Sequence, residues 1–253
     1  MKKFLSTVLG IVVVAILAAV VVGFIFWSRV PDMVANNLSK KLNVAVTIDD
    51  MTLSWGKVGI EKVVVGNPPS AILSRAFSCR QIDVLAPFTR YIDKKIVIDE
   101  IDLNDVYLGL EFKSASGTDG NWTQIMSNLN RNMQAEAQGK GGSERSVLIR
   151  KLVLTNIDVD VVYRKEGGKV KKLPRINRIE LTNVSSEGGL PMDQVMNSVL
   201  GQMLKSVFEK QNLKNMLNNF LDQPGSGVNK FIQPFKGLFN AEYQTKNEGT
   251  QSA

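Results

Sequence analysis

The pattern of apolar and polar positions changes period as the chain is read from its start. From Phe4 to Trp27 no residue is charged, and Ser6 and Thr7 are the only polar side chains. At about 1.5 Å per residue, such a helix is longer than the roughly 30 Å hydrocarbon core of a bilayer. The apolar middle of a secretory signal is typically about 7–15 residues. Here the run continues past Ala18-Ala19 through Val20-Val21-Val22 and Phe24-Ile25-Phe26-Trp27. The length predicts an uncleaved transmembrane anchor over residues 1–28, with Trp27 as an interfacial aromatic and Ser28-Arg29 as the exit into water. Lys2 and Lys3 precede the run and Arg29, Lys40 and Lys41 follow it, so the flanking charge is mixed. The short basic start favours an N-terminus in the cytoplasm and the bulk of the chain across the membrane.

Helical spacing follows over Pro31 to Leu42, through Met33, Val34, Leu38 and Leu42. From Asn43 the period becomes two, which predicts strands. The runs are 44–48, 51–55, 58–65, 82–85, 96–103, 106–112, 147–154, 157–163 and 178–184. Asn67-Pro68-Pro69, Asn104-Asp105, Thr155-Asn156 and Gly167-Gly168 read as the turns between many of them. Between the two halves lies 114–145, with a helix-like piece at Trp122, Ile125, Met126 and Leu129. A polar stretch at about 134–146 reads as a flexible surface loop. Asn121-Trp122-Thr123 also matches a glycosylation sequon.

A short unit recurs within the strands. Ile48 to Leu53, Ile60 to Val65, Ile98 to Leu103, Ile149 to Leu154 and Ile176 to Leu181 each read apolar, two mostly charged residues, apolar, any, apolar. The step of three between the first two apolar positions breaks strict alternation. A bulge or tight corner there would restore the inward face. The spacing of the units is irregular, which excludes a fixed-period solenoid and suggests a strand-corner unit reused along a largely antiparallel sheet.

The end of the chain turns helical again. Pro191 to Phe208 carries an amphipathic stripe that includes Val195, Val199, Met203, Leu204, Val207 and Phe208, on a helix started by Pro191. A second stripe follows at Leu213, Met216, Leu217, Phe220 and Leu221. The segment 191–222 either caps the sheet and plugs its apolar face, or binds a membrane or a protein partner with its methionines at the contact. Residues 223–253 are rich in glycine and polar side chains and read as a largely disordered tail.

Composition narrows the chemistry. The chain has no histidine, the commonest general base and metal ligand. Its one cysteine, Cys79, permits neither an intramolecular disulfide nor a CxxC site, and in a strand-like run it reads as a small packed hydrophobe. Carboxylates cluster only at Asp49-Asp50 and Asp102 to Asp105, where their alternation with apolar residues indicates solvated strand faces. No phosphate-loop, dinucleotide or nucleophile-elbow motif occurs, so the chain is expected not to be an enzyme and to need no cofactor or metal. The net charge of +7 is scattered, apart from Lys169, Lys171, Lys172, Arg175 and Arg178. Such scatter fits a lysine-solubilised surface or a weak pull toward anionic lipid, and no nucleic-acid partner is expected.

The layout resembles the AsmA-like proteins, relatives of TamB and of the bridge-like lipid-transfer proteins. An anchor and a short helix lead into Leu42-Asn43-Val44-Ala45-Val46-Thr47-Ile48. Val58 to Pro68 follows the "gly-x-apolar…gly-x-x-apolar…asn-pro" opening of that family. Ile98 to Phe112 then leads through Gly120-Asn121-Trp122 into a helix, and Leu148 to Tyr163 repeats the strand pair. The resemblance covers residues 1–185, in a chain shorter than familiar members. It implies that 29–190 is a mainly β domain whose sheet curls into an apolar groove for phospholipid acyl chains. The lining would be Ile60, Val63, Val65, Ile98, Ile101, Leu103, Leu152 and Leu154, with Val106, Leu108 and Leu110 nearby. The implied protein sits in the bacterial inner membrane with its bulk in the periplasm. It binds or helps transfer phospholipid, in support of outer-membrane assembly or lipid homeostasis. The alternative is a non-catalytic adaptor that recruits an envelope partner through its sheet edge or terminal helix.

Overall fold

The computed structural model describes residues 27–114, 119–139, 146–182, 184, 190–191, 195–211 and 213. The expected anchor, apart from its last two residues, lies outside them, as do Met216 to Leu221 of the second stripe and the tail at 223–253. Among the described residues no helix is long and apolar enough to cross a membrane.

The first helix, α1 (Val30–Leu42), has Pro31 in its first turn, where the missing N–H costs nothing. Asp32 and Lys40-Lys41 sit at the ends that the helix dipole favours, and Asn43 closes the helix in the left-handed region at φ 54°. The carbonyls left over at that end find partners across the molecule. Asn128 donates to Leu42 O at 3.2 Å, and Asn132 donates to Lys40 O and Lys41 O at 3.0 and 2.9 Å.

Eleven strands follow among the described residues: β1 (Val46–Thr47), β2 (Asp50–Leu53), β3 (Lys57–Gly66), β4 (Arg75–Leu85), β5 (Lys95–Ile98), β6 (Glu100–Phe112), β7 (Ser146–Ile149), β8 (Lys151–Tyr163), β9 (Val170–Lys172), β10 (Ile176–Thr182) and β11 (Leu190–Pro191). Eight form an open mixed sheet in the order β1-β3-β4-β6-β8-β10, with β2 beside β3 and β9 beside β8. The smaller sheet runs β11-β7-β5. All neighbours in the large sheet are antiparallel except β6 and β8, and β5 pairs β7 in parallel as well. Parallel neighbours need a long crossover, supplied here by the helix α2 (Asn121–Gly139). A third helix, α3 (Val195–Lys210), completes the fold.

The step of three in the repeated unit has two structural forms. At Asp99 and Arg150 the chain leaves the small sheet for the large one, and the two corners meet. Arg150 N donates to Ile98 O at 3.1 Å, and its guanidinium bonds Asp99 at 2.6 Å. The other form is Lys62 (φ 49°) in β3, where the strand continues but one residue turns left-handed; Asp105 (φ 54°) in β6 and Asn156 (φ 52°) in β8, just after their repeated units, extend it into a line across the large sheet. Each extra residue shifts the alternation by one, so Ile60 and Val63, Leu103 and Val106, and Leu154 and Ile157 face the same side. The polar side chains released outward pair along the line. Lys62 bonds Asp49, Arg80 bonds Asp105, and Asn156 donates to Asp105 at 2.8 Å.

One apolar core results. The sheet contributes Val63, Leu103, Leu108, Leu110, Leu152 and Leu154, α2 contributes Trp122, Ile125, Met126 and Leu129, and α3 contributes Met203, Leu204, Val207 and Phe208. Phe112 stacks on Tyr163 at 5.9 Å and meets Phe208 edge-on at 6.0 Å.

Several boundaries differ from the sequence reading; the strand expected at 82–85, for one, begins at Arg75. Asn104-Asp105 and Thr155-Asn156 are not turns: β6 and β8 run through them, because a single left-handed residue kinks a strand without ending its pairing. The polar stretch expected as a loop from 134 begins as the last turns of α2, which ends at Gly139. The residues 140–145 lie outside the described structure. Pro191 does not start the last helix: it pairs with Ser146 in β11, and α3 begins at Val195.

Candidate functional site

Cross-strand register arranges the inward side chains in rows. One row runs Met51, Ile60, Ile82, Leu103, Leu154 and Ile179, and the next runs Leu53, Val58, Val84, Ile101, Leu152 and Leu181. All twelve are apolar, and their coverage is uneven. Leu103, Leu152, Leu154 and Ile179 are buried, whereas Met51, Ile60, Ile82, Val58, Val84, Ile101 and, on the far edge, Leu181 are half-buried and Leu53 is exposed. The apolar face is therefore closed over β8 and most of β6 and left partly open over β2, β3, β4 and the Ile101 end of β6. This strip crosses four strands, or three spacings of about 4.8 Å, so it is about 14 Å wide.

The strip borders the point where the chain leaves the apolar run. Trp27, the last residue of that run, donates its indole N–H to Met51 O at 2.9 Å. That contact ties the exit to β2 and satisfies one carbonyl of a sheet-edge strand.

The eleven positions expected to line a groove divide accordingly. Ile60 and Ile101 belong to the half-covered strip, and Ile98 is half-buried beside it, next to the Asp99 corner. Val63, Val65, Leu103, Val106, Leu108, Leu110, Leu152 and Leu154 are buried in the packed core, because α2 and α3 fill that part of the face. Met51, Val58, Ile82 and Val84 were missed as lining. They share the alternation of the expected lining, and their place on the strip follows from their strand partners, Met51 with Ile60, Ile60 with Ile82, and Val58 with Val84.

The polar positions resolve into structural contacts. Cys79 is buried, and burial pushes its thiol up to about 11, so it packs as a small apolar side chain. Its Sγ lies 3.3 Å from Asn104 O. Asp49 and Asp105 are ion-paired as described, and among the described residues no group of three or more possible ligands is placed to hold a metal. Asp102 is held above the usual carboxylate range, first by burial and then by the neighbouring Glu100 charge. Burial also raises Tyr107 to about 12, beside Asp160 at 3.2 Å.

Asn121 cannot serve as a glycosylation acceptor in the folded chain. It is buried, and its amide donates to Asn67 Oδ1 at 2.7 Å and to Gly109 O at 2.9 Å while its oxygen accepts from Trp122 N at 2.9 Å. Trp122 Nε1 reaches the same Gly109 carbonyl at 3.0 Å. Gly109 itself leaves no room for a side chain, since a Cβ there would stand 2.5 Å from Arg75 O. In the basic run, Arg175 pairs with Asp158 and Arg178 with Glu180, while Lys171 and Lys172 are exposed on β9.

No protein-family model matches the chain, and a search of curated proteins returns no match.

Proposed function

We propose that the chain is a membrane-anchored, lipid-handling protein of the bacterial envelope. In this reading Phe4 to Trp27 spans the inner membrane and the sheet domain lies in the periplasm. The domain holds phospholipid acyl chains against the strip formed by Met51, Ile60, Ile82, Val58, Val84 and Ile101. Exchange is driven by differential binding of lipid between strip and bilayer. The carrying observation is that the apolar face is half-covered at the end where Trp27 delivers the apolar run. The width of about 14 Å matches one leaflet, half of a hydrocarbon core of roughly 30 Å. The strip suits a bound chain because its side chains carry no charge to desolvate. The likeness to AsmA-like proteins supports the same reading, at a size for one or a few lipids rather than a bridge. The adaptor alternative loses part of its basis, because the apolar face of α3 is already spent on the core.

The test is a charge placed in the strip of the full chain. Val84→Glu should fold, losing about 1 kcal/mol, because a half-exposed carboxylate reaches water. It should nevertheless lose the phospholipid that the wild type carries through detergent exchange, counted by mass spectrometry. A wild type that carries none, or a folded variant that keeps its lipid, overturns the reading.

A further inference from the structure

The same end of the large sheet carries a second unusual surface. Trp55, at the tip of the β2–β3 hairpin, is 84% exposed, and Ile92, in the 3-10 turn Phe88–Ile92, is 78% exposed. The hairpin and the turn are neighbours. Ala86 N donates to Gly56 O at 3.0 Å where the chain leaves β4 for the turn, and Asp99 N donates to Leu85 O at 2.9 Å where it returns. Leu53, two residues before Trp55 on the same hairpin, adds exposed apolar area close by.

We infer that this end of the domain seats on the bilayer, with Trp55 and Ile92 in the headgroup region. The inference rests on the anchored reading above and adds to it an orientation and a contact. Three observations commit the surface to lipid rather than to a protein. The uncharged run ends at Trp27, which is bonded to Met51, and at about 3.4 Å per residue Trp55 lies only about 14 Å further along the hairpin. An exposed Trp beside aliphatic side chains is the composition of a membrane interface. Lys57, Arg90, Lys94, Lys95, Arg150 and Lys151 outnumber Asp83, Asp93, Asp99, Glu100 and Asp102 around the patch, a small net positive charge suited to anionic headgroups. The consequence is directional. The half-covered strip begins at this same end, so an acyl chain leaving the bilayer meets Leu53 and Val58 first.

The test uses the full chain reconstituted in vesicles of phosphatidylethanolamine and phosphatidylglycerol that contain a doxyl-labelled phospholipid. Trp55→Cys, Ile92→Cys and Lys165→Cys are each labelled with an environment-sensitive dye. Cys79 is buried with its thiol pushed up to about 11, so the introduced cysteine takes the label. Lys165 lies in the exposed turn Arg164–Glu166 at the opposite end of the sheet. Dye at 55 and 92 should lose roughly half its emission, because interfacial side chains sit about 5–10 Å into the headgroup boundary. Dye at 165 should keep its emission. If the chain sediments with the vesicles while 55 and 92 stay as bright as 165, the inference fails and the lipid-handling reading stands. If 55 is shielded from aqueous iodide without lipid quenching, a protein covers the patch and the inference fails. If the chain stays in the supernatant, anchored reading and inference fall together.

Discussion

A carboxylate at Leu154 should abolish cooperative unfolding. Leu154 is fully buried in the middle of the sheet, between Leu103 on β6 and Ile179 on β10. The left-handed residue Asn156 then brings Ile157 to the same covered face. A glutamate in place of Leu154 has no water and no cation to meet, and burying such a group costs several kcal/mol, whether it stays ionised or is forced to take up a proton. A domain of this size is stable by only about 5–15 kcal/mol. Leu154→Glu is therefore expected to give a chain with no sharp thermal transition by circular dichroism. Val84→Glu, on the same face but in the open strip, should keep one. Equal loss in both variants would mean that the strip is ordinary core.

Removing the Arg164 side chain should cost about 3 kcal/mol, measured by chemical denaturation, the lower end of the range for breaking a buried ion pair. Its partner Glu111 is 1% exposed, whereas the arginine is 40% exposed, which softens the effect. Glu111 has a precise task. Its other oxygen accepts from Ile72 N at 2.8 Å and from Leu73 N at 3.1 Å, holding the loop that follows Asn67-Pro68-Pro69 against β6. Without Arg164 the carboxylate keeps those two donors but loses the guanidinium that balances its charge. The double variant Arg164→Met with Glu111→Leu should recover much of the loss, because no charge is then left buried. Failure to recover would show that the loop contacts, not the charge, dominate.

Much of this architecture was legible in the residues. The period of two gave the strands. The step of three in the hexads pointed to corners or bulges, which fall at Asp99, Arg150 and Lys62. What misled was residue type at the line of kinks. Asn104-Asp105 and Thr155-Asn156 carry turn chemistry, yet Asp105 and Asn156 use their tolerance of the left-handed region inside long strands. Glycine and polarity likewise hid the last turns of α2, which hold through Gly139. The candidate site was half legible. Alternation identified the inward face, but which part of it the helices cover depends on contacts far apart in sequence, such as Phe112 with Phe208. The clamp of Glu111, Asn121 and Gly109 gave no sequence signal beyond a misleading sequon, since each residue is explained only by its distant partner.

The lipid-handling account is tested most directly by asking where a lipid touches the chain. The full protein, reconstituted with phospholipid carrying a photoactivatable acyl chain, is irradiated and digested, and the modified residues are read by mass spectrometry. The account predicts adducts on the strip, at Ile60, Ile82 and Val84, in addition to those on Phe4 to Trp27, and none on the outward Glu61 or Arg178. Adducts confined to Phe4 to Trp27, with the strip unmodified, would contradict it.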